Sequence, residues 1–258
     1  MEVTPVSNIN NNVNIYDKNR DKKVKIGVAA TTALSVGTAL AHIAKRQGFS
    51  LSPSRIAKTP FKDMALFGLY SNKHPNRKLI NLEGEEIIEL ASASVAGGLL
   101  GGVLFDDKKH RKAKYKEAVN QLLGNVLVPI GCVWSASKLY KTNERSIMKI
   151  VPQMSGAGKS TKILNAALRA IPMSIVTIAS LATGIFAGNK VSNFINEKIY
   201  HKKVKRNIEA TDFAPHVDDI GMAVSLMAEK SPFASFIQRV VPAFLCVPGI
   251  ETGMHREE

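Results

Sequence analysis

Four stretches of this chain carry no Asp, Glu, Lys or Arg: residues 26–44, 90–105, 118–137 and 170–189. A helix needs about 20 mainly apolar residues to cross the hydrocarbon core of a bilayer, and three of the four reach that length. The second reaches it if Ile87 and Ile88 are included, giving a run over 87–105 with Glu89 near its edge. A fifth apolar run, 240–250, is too short alone. Joined to 233–237 it becomes a re-entrant or fifth segment over 233–250, with Gln238 and Arg239 inside it.

A soluble all-α protein could also bury charge-poor helices, but its surface helices should show polar residues at helical period. Residues 90–105 and 170–189 are apolar or small on every face. The first run is diluted by Thr31, Thr32, Ser35 and Thr38. The third carries Asn120, Gln121 and Asn125 at its start, which moves its apolar centre towards 126–134. Lys22, Lys23 and Lys25 ahead of the first run, and Ala39-Leu40-Ala41 near its end, also resemble a cleaved signal peptide. The long polar leader argues against that.

The fold expected is therefore all-α: a multi-pass helical membrane protein with about four transmembrane helices. Its membrane domain covers 26–250, between a flexible polar tail over 1–25 and a polar tail over 251–258. The bilayer is the expected environment. Overall composition hides this pattern, because 45% apolar content is ordinary for a soluble domain.

Charge is concentrated in the connectors. The chain has 35 Lys+Arg against 21 Asp+Glu, a net charge of +14. With four spans, 17 cations fall on the N-terminal side and 14 on the other. The denser, membrane-proximal cations lie on the first side, so a cytoplasmic N-terminus is expected. The run over 106–117, with Lys108, Lys109, Arg111, Lys112, Lys114 and Lys116, reads as a solvated or lipid-facing surface. Nucleic-acid binding is disfavoured, since no aromatic-interleaved motif accompanies the charge.

Small residues recur every four positions. Ser94, Gly98 and Gly102 form one column, and Ala93, Gly97 and Gly101 form a second beside it. Ser180, Gly184 and Gly188 repeat the pattern, and Ala29, Ala33, Gly37 and Ala41 do so more weakly. Between equally apolar helices in lipid, close backbone approach across small residues supplies the attraction. Ser94, Gly97, Gly98, Gly101, Gly102, Ser180, Gly184 and Gly188 are thus the expected helix-packing residues, against other helices of this chain or a second copy. Ala93–Gly102 (ASVAGGLLGG) and Ala179–Gly188 (ASLATGIFAG) share five of ten residues, and Val-Pro followed by Cys-Val recurs at 128–133 and 241–247. Both suggest an internal repeat, with the last segment as counterpart of the third run.

Other elements are short. Residues 60–70 read as a surface helix with Phe61, Met64, Ala65, Gly68 and Leu69 on one face. Val191, Ile195 and Ile199 mark a helix leaving the membrane over 191–206, and 218–230 reads as an amphipathic helix.

No catalytic, cofactor or metal residues are assigned. Residues 155–161 contain Gly-Ala-Gly-Lys-Ser-Thr, but a phosphate-binding loop needs Gly where Gln153 stands. Asp212, His216, Asp218 and Asp219 cluster, yet Pro215 interrupts the helix that would align them, so capping and turn roles are expected. Cys132 and Cys246 read as small buried apolar groups. A structural or interaction role, including oligomer assembly, is the leading expectation. A small channel or transporter comes second, a soluble or peripheral basic helical protein binding anionic membrane or nucleic acid third, and an enzyme last.

Overall fold

The structure, a computed structural model, describes residues 7–58, 60, 65–67, 80–82, 84–201, 207–216 and 240–256. It is mostly helical, and among the described residues four helices are long and apolar enough to cross a membrane: Asn19–Arg46, Gly84–Phe105, Lys108–Ile150 and Lys159–Lys198.

Helix α1 (Ser7–Arg46) holds the first charge-free run. It ends where Gly48 adopts φ 76°, letting the Phe49 amide reach the Ala44 carbonyl at 2.8 Å and the Gly48 amide reach Lys45 at 3.0 Å. This pair of bonds satisfies the last carbonyls and needs a left-handed residue, which glycine supplies without strain. Part of the polar leader expected over 1–25 belongs to α1. It is helical from Ser7, and Arg20 and Asp21 are tied to Asp107 and Arg256.

A short helix α2 (Pro53–Lys58) follows, then a two-stranded parallel sheet of β1 (Ala65–Phe67) and β2 (Ile80–Leu82), registered with Ala65 opposite Ile80. The helix expected over 60–70 is thus a strand at its centre. Ile80 and Leu82 are buried in the core, and a strand that pairs with β2 competes with local helix preference. Phe61, Met64, Gly68 and Leu69 lie outside the described residues, as do the helix expected over 218–230 and the start of the segment expected over 233–250.

Helix α3 (Gly84–Phe105) carries the two glycine columns. After a 3-10 turn, Lys108–His110, a continuous helical stretch follows: α4 (Arg111–Asn120), a π-helical turn Gln121–Leu127, and α5 (Val128–Ile150). Helix α6 (Lys159–Lys198) returns beside α5. A 3-10 segment, Ala210–His216, and an apolar helical stretch Val240–Met254 ending in α7 (Val247–Met254) complete the fold.

α1 lies antiparallel to α3, with Gly27 against Phe105 and Gly97 against Ser35. α7 lies parallel to α3, with Gly249 against Gly98 and Gly253 against Gly102. The core gathers Val36 and Ile43 of α1, Ile87 and Leu90 of α3, Val126 of the π turn, and Val241 and Leu245 ahead of α7. Val126 is therefore level with the last turns of α1 and the first turns of α3. All 23 residues of α5 come after that point, a length of about 35 Å. Beyond it, Val133 meets Leu181 and Ile185 of α6 in a separate small cluster. The molecule thus has two parts: a bundle of α1, α3, α4 and α7, and an α5–α6 hairpin that runs on past its far end.

The last segment runs parallel to its glycine-rich neighbour α3. The third helix runs antiparallel to α6, with Gly124 against Gly188 and Pro129 against Gly184. The two Val-Pro segments are therefore not equivalently placed.

Candidate functional site

The glycine faces of α3 point in two directions. On one, a Cβ built on Gly97 would stand 2.6 Å from Ser35 Cβ, and one on Gly101 would stand 2.8 Å from Val28 Cα, both on α1. On the other, a Cβ on Gly98 would overlap the Gly249 carbonyl, and one on Gly102 would stand 2.6 Å from the Gly253 oxygen. Ser94, also buried, accepts a 3.0 Å hydrogen bond from the Gly249 amide through Oγ. Adjacent columns on one helix thus meet α1 and α7 separately. On α6, Gly184 faces Pro129 and Gly188 faces the Gly124 carbonyl, while the Ser180 hydroxyl donates to Thr177 of its own helix. The α1 column lies elsewhere: Ala29, Ala33 and Gly37 are exposed, and nothing lies within 4 Å of a Cβ on Gly37.

Where α3 ends, α7 is fastened by charge. Asp106 is buried, and its carboxylate accepts from Arg256 Nε at 2.9 Å and Nη2 at 3.1 Å. Lys114 is fully buried. Its Nζ lies 2.9 Å from Asp106 Oδ2 and donates to the carbonyls of Gly253 at 2.5 Å and His255 at 3.0 Å. Arg256 Nη1 also donates to Asp21 at 2.8 Å. Four segments of the chain therefore converge on two buried charges. Burial works to raise the Asp106 carboxyl, but hydrogen bonds from Arg256, Lys114 and the Asp107 amide, with the Lys114 charge, hold it well below the usual carboxylate range. Arg256 is raised, chiefly by its bond to Asp106.

This corrects the reading of 106–117 as a solvated face. Asp106, Lys114 and Glu117 are buried because Gly253 lets the end of α7 approach them. Within the polar segment expected over 251–258, α7 continues to Met254 and Arg256 is part of the lock. The signal in the sequence was slight, three carboxylates placed among six cations.

A second polar track follows the π turn. Gln121 Nε2 donates to Glu117 and Glu251, each at 2.8 Å, and Asn125 Nδ2 donates to Gln121 at 2.9 Å and to Asp212 at 2.6 Å. Asn120 donates across to Asn196 of α6 at 3.0 Å. Pro129 has no N–H for the Asn125 carbonyl four residues back. His216 Nε2 donates to that carbonyl at 2.7 Å. Burial lowers the His216 imidazole to about 4, against the raising effects of the Asn125 bond and Asp212. Asp212 and His216 thus share a 3-10 segment docked on the π turn, and Asp218 and Asp219 lie outside the described residues.

Asp106, Asp107 and His110 bring potential metal ligands within 4.8 Å of one another. Asp106 and Asp107 already accept from Arg256 and Arg20. Residues 155–161 follow helix α5 rather than a strand, and they lead into α6 at Gly158. The lock and the polar track bind elements together, and neither presents a nucleophile paired with a base.

No protein-family model, curated protein or solved structure matches this chain.

Proposed function

We propose that this chain is an integral membrane protein with a structural or interaction role, its helices assembled through small-residue faces. The observation that carries this is the set of four long apolar helices with outward-facing apolar side chains: Leu34 is 72% exposed, Leu104 62% and Ile175 60%. Exposed apolar surface on this scale is costly in water and costs nothing in lipid. Sodium carbonate extraction of membranes tests it. The protein should stay in the pellet, and release into the supernatant overturns the reading.

The α1–α3 pair and the α5–α6 hairpin are offset along their length. We propose that both nevertheless lie in one bilayer, because long helices tilt to fit it. Single cysteines at Leu104 and at Ile175, in a variant without Cys132 and Cys246, should both be shielded from a charged maleimide. Lys45 should be labelled. Labelling at either apolar position removes that helix pair from the bilayer.

A conducting role is the second reading. It is favoured by the buried polar track through Gln121, Asn125 and the Asn120–Asn196 pair, since polar groups inside membrane bundles often line solute paths. Ion or solute flux in liposomes would establish it over the structural role.

A further inference from the structure

One sector of α5 is set apart from the rest of the helix. At about 100° per residue, Gly131, Trp134, Lys138, Lys141, Arg145 and Lys149 fall within about 80° of one another, and no other residue of Val128–Ile150 falls inside that sector. All six are exposed. The sector lies on the side away from α6. Pro129 and Val133, which meet α6, and the buried Tyr140 lie roughly 140–180° from Lys138 around the helix. Glu144, the one carboxylate between Lys138 and Arg169, lies about 120° from Lys138. Among the described residues, none of the four cations is paired with a carboxylate. Lys138 Nζ lies over the Trp134 ring, 5.3 Å from its centroid.

The place where this face changes character is the second observation. Ser137 ends the charge-free run 118–137, and Ala170 begins the run 170–189. Lys141 and Ala170 line the same cleft between α5 and α6, so the apolar runs of both helices stop at one level. Trp134 stands one turn on the apolar side of Lys138, and the cations stand beyond it. Tryptophan collects at membrane–water interfaces, and cations just outside a span draw anionic lipid. Side chains of a helix lean towards its N-terminus, so these cations reach back towards the apolar end of α5.

We propose that this outer face of α5 docks on the anionic headgroups of a phospholipid leaflet. Trp134 sits at the boundary, with Gly131 on its lipid side. Lys138, Lys141 and Arg145 contact the headgroup phosphates. Lys149 stands about 16 Å beyond Lys138 along the axis and contributes least, because surface attraction fades within a Debye length. The site rests on the membrane reading in that the run 118–137 enters lipid.

Trp134 is the one tryptophan of the chain, so its fluorescence reports on this face alone. The test reconstitutes the full chain in mixed vesicles of phosphatidylcholine and phosphatidylglycerol, with bromine on the acyl chains of one lipid or the other, and compares the quenching. Phosphatidylglycerol should associate roughly 10–30-fold more strongly than phosphatidylcholine, the contribution of two cations near a membrane surface. Lys138→Gln with Lys141→Gln should bring the two lipids close to even. Exchanging exposed neighbours, Lys138→Leu with Leu139→Lys and Arg145→Ser with Ser146→Arg, keeps net charge and depth but turns two cations about 100° off the face. The preference should then fall at least about fivefold, one cation's contribution. An unchanged preference in the exchanged variant overturns the face in favour of diffuse charge. Loss of the preference on adding soluble polyglutamate assigns the face to an acidic polypeptide and overturns the lipid. If the protein resists carbonate yet both lipids quench Trp134 equally, the face proposal falls and the membrane reading stands. Release of the protein by carbonate overturns both.

Discussion

The bundle end and the hairpin end of this molecule solve the same packing problem in different ways. In the bundle, α7 lies backbone to backbone on α3 and is fastened by two buried charges, Asp106 and Lys114. In the hairpin, α5 and α6 meet through a few small residues and one apolar cluster of Val133, Leu181 and Ile185, and their remaining faces are open. Both ends contain long charge-free helical runs. The bundle is specified from within the chain, whereas the hairpin leaves most of its surface to its surroundings. Substitutions should therefore be severe at one end and mild at the other.

The largest difference should come from glycine. At Gly98 a side chain would collide with the Gly249 backbone, which no rotamer change can relieve. Gly98→Leu should cost more than about 4 kcal/mol, in the range of severe core lesions. It should also release α7, seen as rapid proteolysis of the C-terminal segment. Gly37→Leu, on the open face of α1 with nothing within 4 Å, should leave proteolysis unchanged. Equal sensitivity at the two glycines would remove the distinction between a seated groove and a bare face.

Next comes the charge lock. Asp106→Asn leaves the Lys114 ammonium buried with only carbonyl acceptors, which typically costs about 3–5 kcal/mol. Asp107→Asn, in a half-exposed pair with Arg20, should cost at most about 1 kcal/mol. Denaturant melts in detergent would measure both. Because the folded Asp106 carboxyl titrates well below its unfolded value, its contribution is complete above the ordinary carboxylate range and is lost as pH falls through and below it. A melt insensitive to Asp106→Asn would mean that Lys114 is held by carbonyls alone.

His216 gives a smaller effect at milder pH. The unfolded imidazole takes its proton near 6.5, and the folded one only near about 4. Between those values the unfolded chain binds more protons, so stability falls as pH is lowered across the window and is level above it. The full loss should be about 3 kcal/mol at 1.36 kcal/mol for each pH unit. His216→Gln keeps a donor for the Asn125 carbonyl and should flatten the profile between pH 4 and 6.5. A wild-type melt already flat over that window would show that the imidazole is solvated.

Much of this architecture was legible in sequence, but partners were not. Absence of charge marks helices directly, because an uncharged run of 20 residues has few other stable forms, and the four long helices follow those runs. A column of small residues shows that a backbone will come close without saying which one. Gly97 and Gly98 are neighbours in sequence, yet one faces α1 and the other α7. The lock was hidden for a related reason. Lys114 sits in a basic run, where lysine is normally solvated, and its burial depends on Gly253, 139 residues away. Pro129 did announce that the Asn125 carbonyl lacks an intrahelical donor. That the donor is His216 depends on a chain reversal no local pattern encodes.

The smallest effect is the one that isolates the hairpin. Gly131 lies on the exposed side of α5, and a Cβ there would meet nothing within 4 Å. Gly131→Ala should therefore follow intrinsic helix preference alone and stabilise the hairpin by up to about 1 kcal/mol. Gly184→Ala would bring a Cβ to 2.6 Å from Pro129 Cα and should destabilise instead. The opposite signs, read as shifts in thermal midpoint in detergent, separate the paired face of the hairpin from its open one. A destabilising Gly131→Ala would show that α5 already has a partner on its outer side, and the contrast between a self-specified bundle and an open hairpin would then fail.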